Sequence, residues 1–325
     1  MWDFSVGRTI GVVAASWPYV LLRIVVYTAI TLAYIAATGA GAGVGYGVGH
    51  ISSSPDGPAG FALGGAFAGF ALVTVALYWM REYILYAVKA AHVAAMVHLL
   101  DGRQMPQGLG QLEYGRRIVK ARFVEVNLLF VLDQLVKGVI RVISGIVTTL
   151  GSLLPIPGLQ GLIGFALSVM RMSLTYVDEV ILAYNIRTDS NTPWDTAQRG
   201  LVLYAQNSNT ILKNALWLSL MMWGLTVVVF LVALTPAAAA LYLMPGQLGG
   251  WGFVLAIVVA WAFRAALIEP FCIAALMQVY FRVIDGQSPD PQWLERLNGA
   301  SRQFRELGER ASAVFSRPQT DRQAG

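Results

Sequence analysis

The chain has 325 residues, 56% of them hydrophobic and only 13% charged, with a mean hydropathy of +0.59. Soluble domains carry about a quarter charged residues, so a chain with half that share cannot coat itself against water and reads as an integral membrane protein. One cysteine, Cys272, and three histidines, His50, His92 and His98, argue against a disulfide framework and predict neither a metal site nor a cofactor. The net charge of +5 bears on orientation in a bilayer, because no nucleic-acid-binding motif accompanies it.

A hydrocarbon core about 30 Å thick takes about 20 residues of helix. From the N-terminus, apolar sequence runs past Arg23 and well beyond the length of a signal-peptide core, which predicts a retained first span. Residues 24–48 and 61–80 contain no charge and form the first two full spans. In and next to them, Gly39, Gly43 and Gly47 make one row at i, i+4 spacing and Gly41, Gly45 and Gly49 an interleaved second, with Gly60, Gly64, Gly65 and Gly69 following at and in the next span. Small residues let helix backbones approach closely in lipid. The rows therefore suit packing of the first two spans within one chain, an oligomer seam or a pore-lining helix. A frayed outer loop is a further reading, since glycine costs nearly 1 kcal/mol in a helix. Arg23 and Lys89 read as side chains snorkelling to the inner interface. His92 and His98, six residues apart on different helix faces, and the solitary His50 read as interfacial residues rather than ligands.

The middle of the chain has another character. Residues 122–152 carry Glu125, Asp133, Lys137 and Arg141 on a helical pattern, Pro155-Ile156-Pro157-Gly158 breaks it, and 159–186 resumes with Arg171, Asp178 and Glu179. Prolines and glycine so close together mark a turn, and the uncharged arms are short for a lipid-exposed span. A central proline-tipped hairpin is predicted, either re-entrant or enclosed by the other helices. Arg141 and Arg171 each stand fifteen residues from Ile156, about 22 Å along a helix, which places them at matching depth.

Residues 215–234 form a third full span and 251–281 a fourth, which contains Arg264, Glu269 and Pro270. Charges inside membrane helices are costly and face protein or water. Arg264 and Glu269 lie about 140° apart round a helix and need partners elsewhere. Pro270 removes a backbone donor and frees the carbonyl of Ala266, making it the gate candidate. Cys272 reads as a small buried apolar residue.

Ala90-Ala91 precede Asp101-Gly102 by eleven residues, and Ala274-Ala275 precede Asp285-Gly286 by the same interval. With a looser third copy at Ala183 to Asp189, this predicts three helical hairpins, about 8–100, 116–187 and 200–284, as a parallel repeat. The expected architecture is an all-α polytopic membrane domain over 1–284, a cytoplasmic amphipathic helix over 285–315 and a disordered tail over 316–325. Asn191 or Thr192 before Pro193, and Asp290 before Pro291, read as helix starts. Trp293, Leu297, Ala300, Phe304, Leu307, Ala311 and Val314 form a heptad stripe that suits either packing on the protein's own surface or self-association. Lys and Arg crowd the loops near Arg103–Arg122 and Arg187–Lys213 and the tail, whereas 39–60 and 245–250 have none. That asymmetry puts both termini in the cytoplasm of a cell, or inner, membrane.

No P-loop, HExxH or GxSxG motif is present, and the adjacent Asp178-Glu179 point apart on a helix, so catalysis is not expected. Ala183-Tyr184-Asn185-Ile186, then Ala197 through Leu203, Asn207 to Asn214, the span that follows and the closing stretch 272–285 together give 178–285 a resemblance to the C-terminal membrane region of the choline transporter-like family. That resemblance implies a multi-span solute transporter and brings no binding residue with it. The expectation is a transport protein or channel for a small solute or ion. Its polar path is lined by Asp133, Lys137, Arg141, Arg171, Asp178, Glu179, Arg264 and Glu269. The alternative is a non-transporting scaffold that oligomerises through the glycine rows and the heptad helix. Lipid is the expected partner in either case, with further copies of the chain in the second.

Overall fold

The computed structural model describes residues 2–52, 57–80, 85–103, 109–123, 176–189, 192–242 and 249–300, together with 302, 304–306, 308 and 309. Among these the chain is helical, joined by turns, with no strand. The helices are α1 (Val6–Ala15), α2 (Trp17–Ile51), α3 (Gly57–Met80), α4 (Tyr86–Leu100), α5 (Gln111–Phe123), α6 (Val177–Thr188), α7 (Pro193–Gln206), α8 (Ser208–Tyr242), α9 (Gly249–Phe263), α10 (Glu269–Val283) and α11 (Pro291–Ala300). A π turn, Arg264–Ile268, joins α9 to α10.

Among the described residues, four stretches are long and apolar enough to cross a membrane: Trp17–Ile51, Gly57–Met80, Ser208–Thr235 and Gly252–Val283. They match the four full spans read from the sequence, the fourth beginning one residue later, at Gly252. Most of the central hairpin, including its proline tip, lies outside the described residues, as do Leu307, Ala311, Val314 and the tail 316–325. The glycine-rich end of α2 is not a frayed loop: α2 is a single helix of 35 residues, about 52 Å long at 1.5 Å per residue. It is set off from α1 at Ser16, whose Oγ donates to the Val13 carbonyl at 3.0 Å. Pro18 lacks the N–H that would carry the α1 ladder onward.

The chain divides into two compact units. One comprises Trp17–Lys89 and Met221–Phe271. Its centre is the packing of α2 on α3, with α9 and the π turn also against α2. Ile30, Tyr34, Val73 and Val258 form the buried cluster, flanked by Tyr27, Phe70 and Leu77. Tyr34 Oη and Thr74 Oγ1 pair at 3.2 Å, and Tyr27 meets Trp261 edge-on at 5.3 Å. The outward faces are apolar instead of polar: Leu32, Phe67, Leu72, Trp79, Leu231 and Val232 are all exposed. Such a surface is costly in water and matches hydrocarbon.

The other unit comprises Met1–Ser16, Ala90–Leu220 and Cys272–Gly325. Here α4, α6 and α10 are buried on nearly every face, from Ala90 to Val97, Val180 to Ala183 and Cys272 to Tyr280. Helices apolar all round belong inside protein. Each ends in a left-handed residue: Gly102 at φ 66°, Asp189 at φ 46° and Gly286 at φ 69°. That conformation stops a helix cheaply at glycine. The helices that follow start on proline in two cases, Pro193 and Pro291. At the second, Asp290 Oδ1 accepts from the Gln292 N–H at 2.8 Å, the expected cap. At the first, Asn191 lies outside the described residues, and Thr192 makes no side-chain cap. α11 packs on α7, with Leu297 and Phe304 fully buried. These two stripe positions are thus covered by the chain itself.

Candidate functional site

The fourth span gains its character from one local event. A proline at position 270 cannot donate a backbone hydrogen bond, and the helix accommodates this by widening: the Glu269 N–H reaches back five residues to the Arg264 carbonyl. Turns of this kind are rare and concentrate at functional sites. Both ends of the turn keep right-handed helical angles, φ −61° and ψ −46°, so the span continues.

Glu269 is where the charges meet. Arg23 Nη2 lies 2.6 Å from its Oε2, and Lys89 Nζ 2.7 Å from its Oε1, so each carboxylate oxygen holds one cation. The Arg23 side chain is only 2% exposed, and those of Lys89 and Glu269 are 21% and 16% exposed. Arg264, the other charge on this span, does not join them: it has no carboxylate within ion-pair distance among the described residues. Its Nε donates to Met222 Sδ at 3.3 Å, and its guanidinium lies 5.7 Å from the Trp223 ring centre. A thioether and an aromatic face are weak partners for a cation.

This corrects the snorkelling assignment of Arg23 and Lys89. Both side chains turn to a carboxylate instead of to the interface. A four-residue ladder on a single helix cannot reveal the pairing, because Arg23 and Glu269 are 246 residues apart in sequence. The only sequence signal was the unmatched charge of Glu269 in a span, which demands a cation from somewhere.

Asp133, Lys137, Arg141 and Arg171 lie outside the described residues. Asp178 is half-buried, and Glu179 beside it is 1% exposed on α6. His92 is fully buried, with Nε2 2.9 Å from Ser16 Oγ. It is an interior residue of the unit that contains it and not an interfacial one. Cys272 is buried and in no disulfide among the described residues.

The two glycine rows separate cleanly. A Cβ on Gly41 would strike the Gly65 carbonyl, one on Gly45 the Phe61 carbonyl, and one on Gly49 would come within 2.6 Å of Pro58 Cα. Conversely, Gly65 and Gly69 lie against the carbonyls of Gly41 and Ala37. This row is therefore the close-packing surface of α2 on α3. A Cβ on Gly39, Gly43 or Gly47 would meet nothing within 4 Å.

No protein-family model matches the chain, and comparison with curated proteins and with solved structures gives no match.

Proposed function

We propose that the chain is a membrane transport protein or channel for a small solute or ion, with its polar site built on the last span around Glu269. The observation that carries this reading is the company Glu269 keeps. Among the described residues of this unit, Arg23 and Lys89 pair with Glu269 and Arg264 stands apart from them, three positive charges against one carboxylate. Ionisable groups within membrane helices are retained for function more often than for stability, and an excess of cations suits an anionic solute or an anionic group on a larger one. Arg264, whose contacts among the described residues are a thioether and a ring, is the cation available to it. The widened turn and Pro270 give the helix a place to flex between Arg264 and Glu269. The resemblance of 178–285 to choline transporter-like proteins points the same way. Both termini belong on the cytoplasmic face of a cell membrane, where the basic loops favour them.

Purified protein in liposomes should pass a solute or ion, and Arg264→Ala and Glu269→Gln should each change that flux. Unaltered flux in both would remove these residues from the mechanism.

A second reading, a non-transporting oligomeric scaffold, rests on the glycine row that α3 does not use. Gly39, Gly43 and Gly47 face open space along one side of α2, where a helix from another copy would approach closely. A defined oligomer in mild detergent that comes apart on replacing Gly43 and Gly47 by leucine supports it. A monomer before and after the change counts against it.

A further inference from the structure

α1 is too short to cross a bilayer, yet it carries an apolar stripe that the chain leaves uncovered. Its orientation is fixed from one side. The N-cap Ser5 closes its first turn on the Arg8 N–H at 3.3 Å. Arg8 Nη2 donates to the Leu100 carbonyl at the end of α4 at 2.7 Å. Buried Thr9 accepts from Gln278 Nε2 on α10 at 2.8 Å. Gln111 Nε2 on α5 donates to the Ala15 carbonyl at 2.7 Å. Before the helix, Asp3 takes a backbone bond to Asn214 Oδ1 at 2.6 Å and an ion pair to Lys213 at 2.6 Å.

Held in this way, α1 cannot roll to hide its other side. There Val6 is 38% exposed and Ile10, one turn on, 55%, while Trp2 in the segment leading into the helix is 50% exposed. The stripe does not end at α1. Trp2 meets Trp217 of α8 edge-on, with ring centres 6.4 Å apart, and Leu216, Trp217 and Leu220 beside it are exposed as well. Those residues lie in the membrane-crossing stretch Ser208–Thr235. The apolar surface of α1 is therefore continuous with one that meets lipid.

We propose that α1 is an in-plane anchor: it lies at the boundary between phospholipid headgroups and acyl chains, with Trp2, Val6 and Ile10 in the acyl region. Short amphipathic helices with tryptophan on the apolar face occupy that position. Gly11, exposed and about 100° round the helix from Ile10 and about 140° from Val6, is then turned toward the aqueous layer.

Spin labels at Ile10→Cys and, in a separate chain, Gly11→Cys test this in full-length protein. The protein is reconstituted in nanodiscs of phosphatidylcholine with phosphatidylglycerol. Cys272 is fully buried, and unsubstituted protein carried through the same labelling gives the blank. Both labelled positions are exposed, and Val6→Cys repeats the Ile10 measurement one turn earlier. The label at position 10 should lose broadening by a water-soluble nickel chelate and keep relaxation by oxygen, while that at position 11 retains the nickel effect. Equal nickel access at both positions would overturn the proposal, because the stripe would then face water. Loss of nickel access at both would overturn it too, since the helix would be submerged. So would protection of position 10 from both reagents, or spin–spin broadening there that disappears on dilution with unlabelled chains, because protein would then cover the stripe.

Discussion

Replacing Glu269 by glutamine preserves shape and removes one charge, which makes it the sharpest probe of the buried cluster. The Arg23–Glu269 contact is 2.6 Å with the arginine side chain 2% exposed. Unit charges about 4 Å apart attract by about 4 kcal/mol in surroundings of intermediate polarity, and that gain is set against several kcal/mol for taking each ion out of water. The intact pair therefore comes close to breaking even. Breaking it does not: Arg23 keeps its desolvation cost and loses its counter-charge, a penalty of about 3–5 kcal/mol. Lys89, with 21% of its side chain exposed, retains part of its hydration and adds little. The double replacement Arg23→Met with Glu269→Met removes both ions and should recover most of the loss. The assay is equilibrium unfolding in mild detergent, followed by circular dichroism, for the wild type, Glu269→Gln, the component singles Arg23→Met and Glu269→Met, and the double. An expected 3–5 kcal/mol deficit in the single Glu269→Gln variant corresponds to a shift of about a hundredfold to several thousandfold in the unfolding equilibrium. If that variant stays within about 0.5 kcal/mol of wild type, or if the double costs the sum of the singles, the reasoning fails. The double also separates stability from transport, since a well-folded protein with altered flux assigns the ions a functional role.

The two glycine rows should respond in opposite directions. Gly45→Ala drives a methyl into the Phe61 carbonyl and should cost about 1–3 kcal/mol in detergent unfolding, whereas Gly43→Ala should be neutral or stabilise by up to about 1 kcal/mol of helix propensity. The hydrogen bond from Lys213, with a smaller contribution from Asn214, holds the Asp3 carboxyl below its ordinary value, which is about 3.9 in model peptides. A carboxylate with a lowered folded value contributes its stability above the unfolded value and loses it as pH falls through the folded one. The N-terminal segment should accordingly loosen below about pH 4, and Asp3→Asn should abolish that pH dependence in amide exchange of α1. Leu297→Ala empties a fully buried position and should cost about 2–5 kcal/mol, read as increased proteolysis of the C-terminal helix.

The four spans were legible because their signal is local: twenty or so uncharged residues in a row admit few other structures. The glycine spacing was equally legible as a close-packing surface, but periodicity alone could not choose between Gly41, Gly45 and Gly49 and their neighbours two residues away. That choice depends on which side α3 approaches, a tertiary fact. The site was half legible. Arg264, Glu269 and Pro270 announced themselves as polar or helix-breaking residues inside a span, while Arg23 and Lys89 sit near span ends where snorkelling is the economical reading. His92 misled for a related reason. Its sequence surroundings resemble an interface, and only the fold places Ser16 against its ring and buries both.

The π turn between α9 and α10 holds one residue more than an ordinary helical turn would. Its presence resets the angular phase of the fourth span: every side chain after Ile268 is rotated by about 100° relative to a plain helix running on from Gly252. Glu269 points toward Arg23 and Lys89 in that shifted phase. Regular winding with every residue kept would swing the carboxylate away from its cations, whereas deleting a single alanine from the turn would restore regular winding and leave Glu269 in the same phase. The placement of charge in this span is thus set by the count of residues in one turn as much as by their identity.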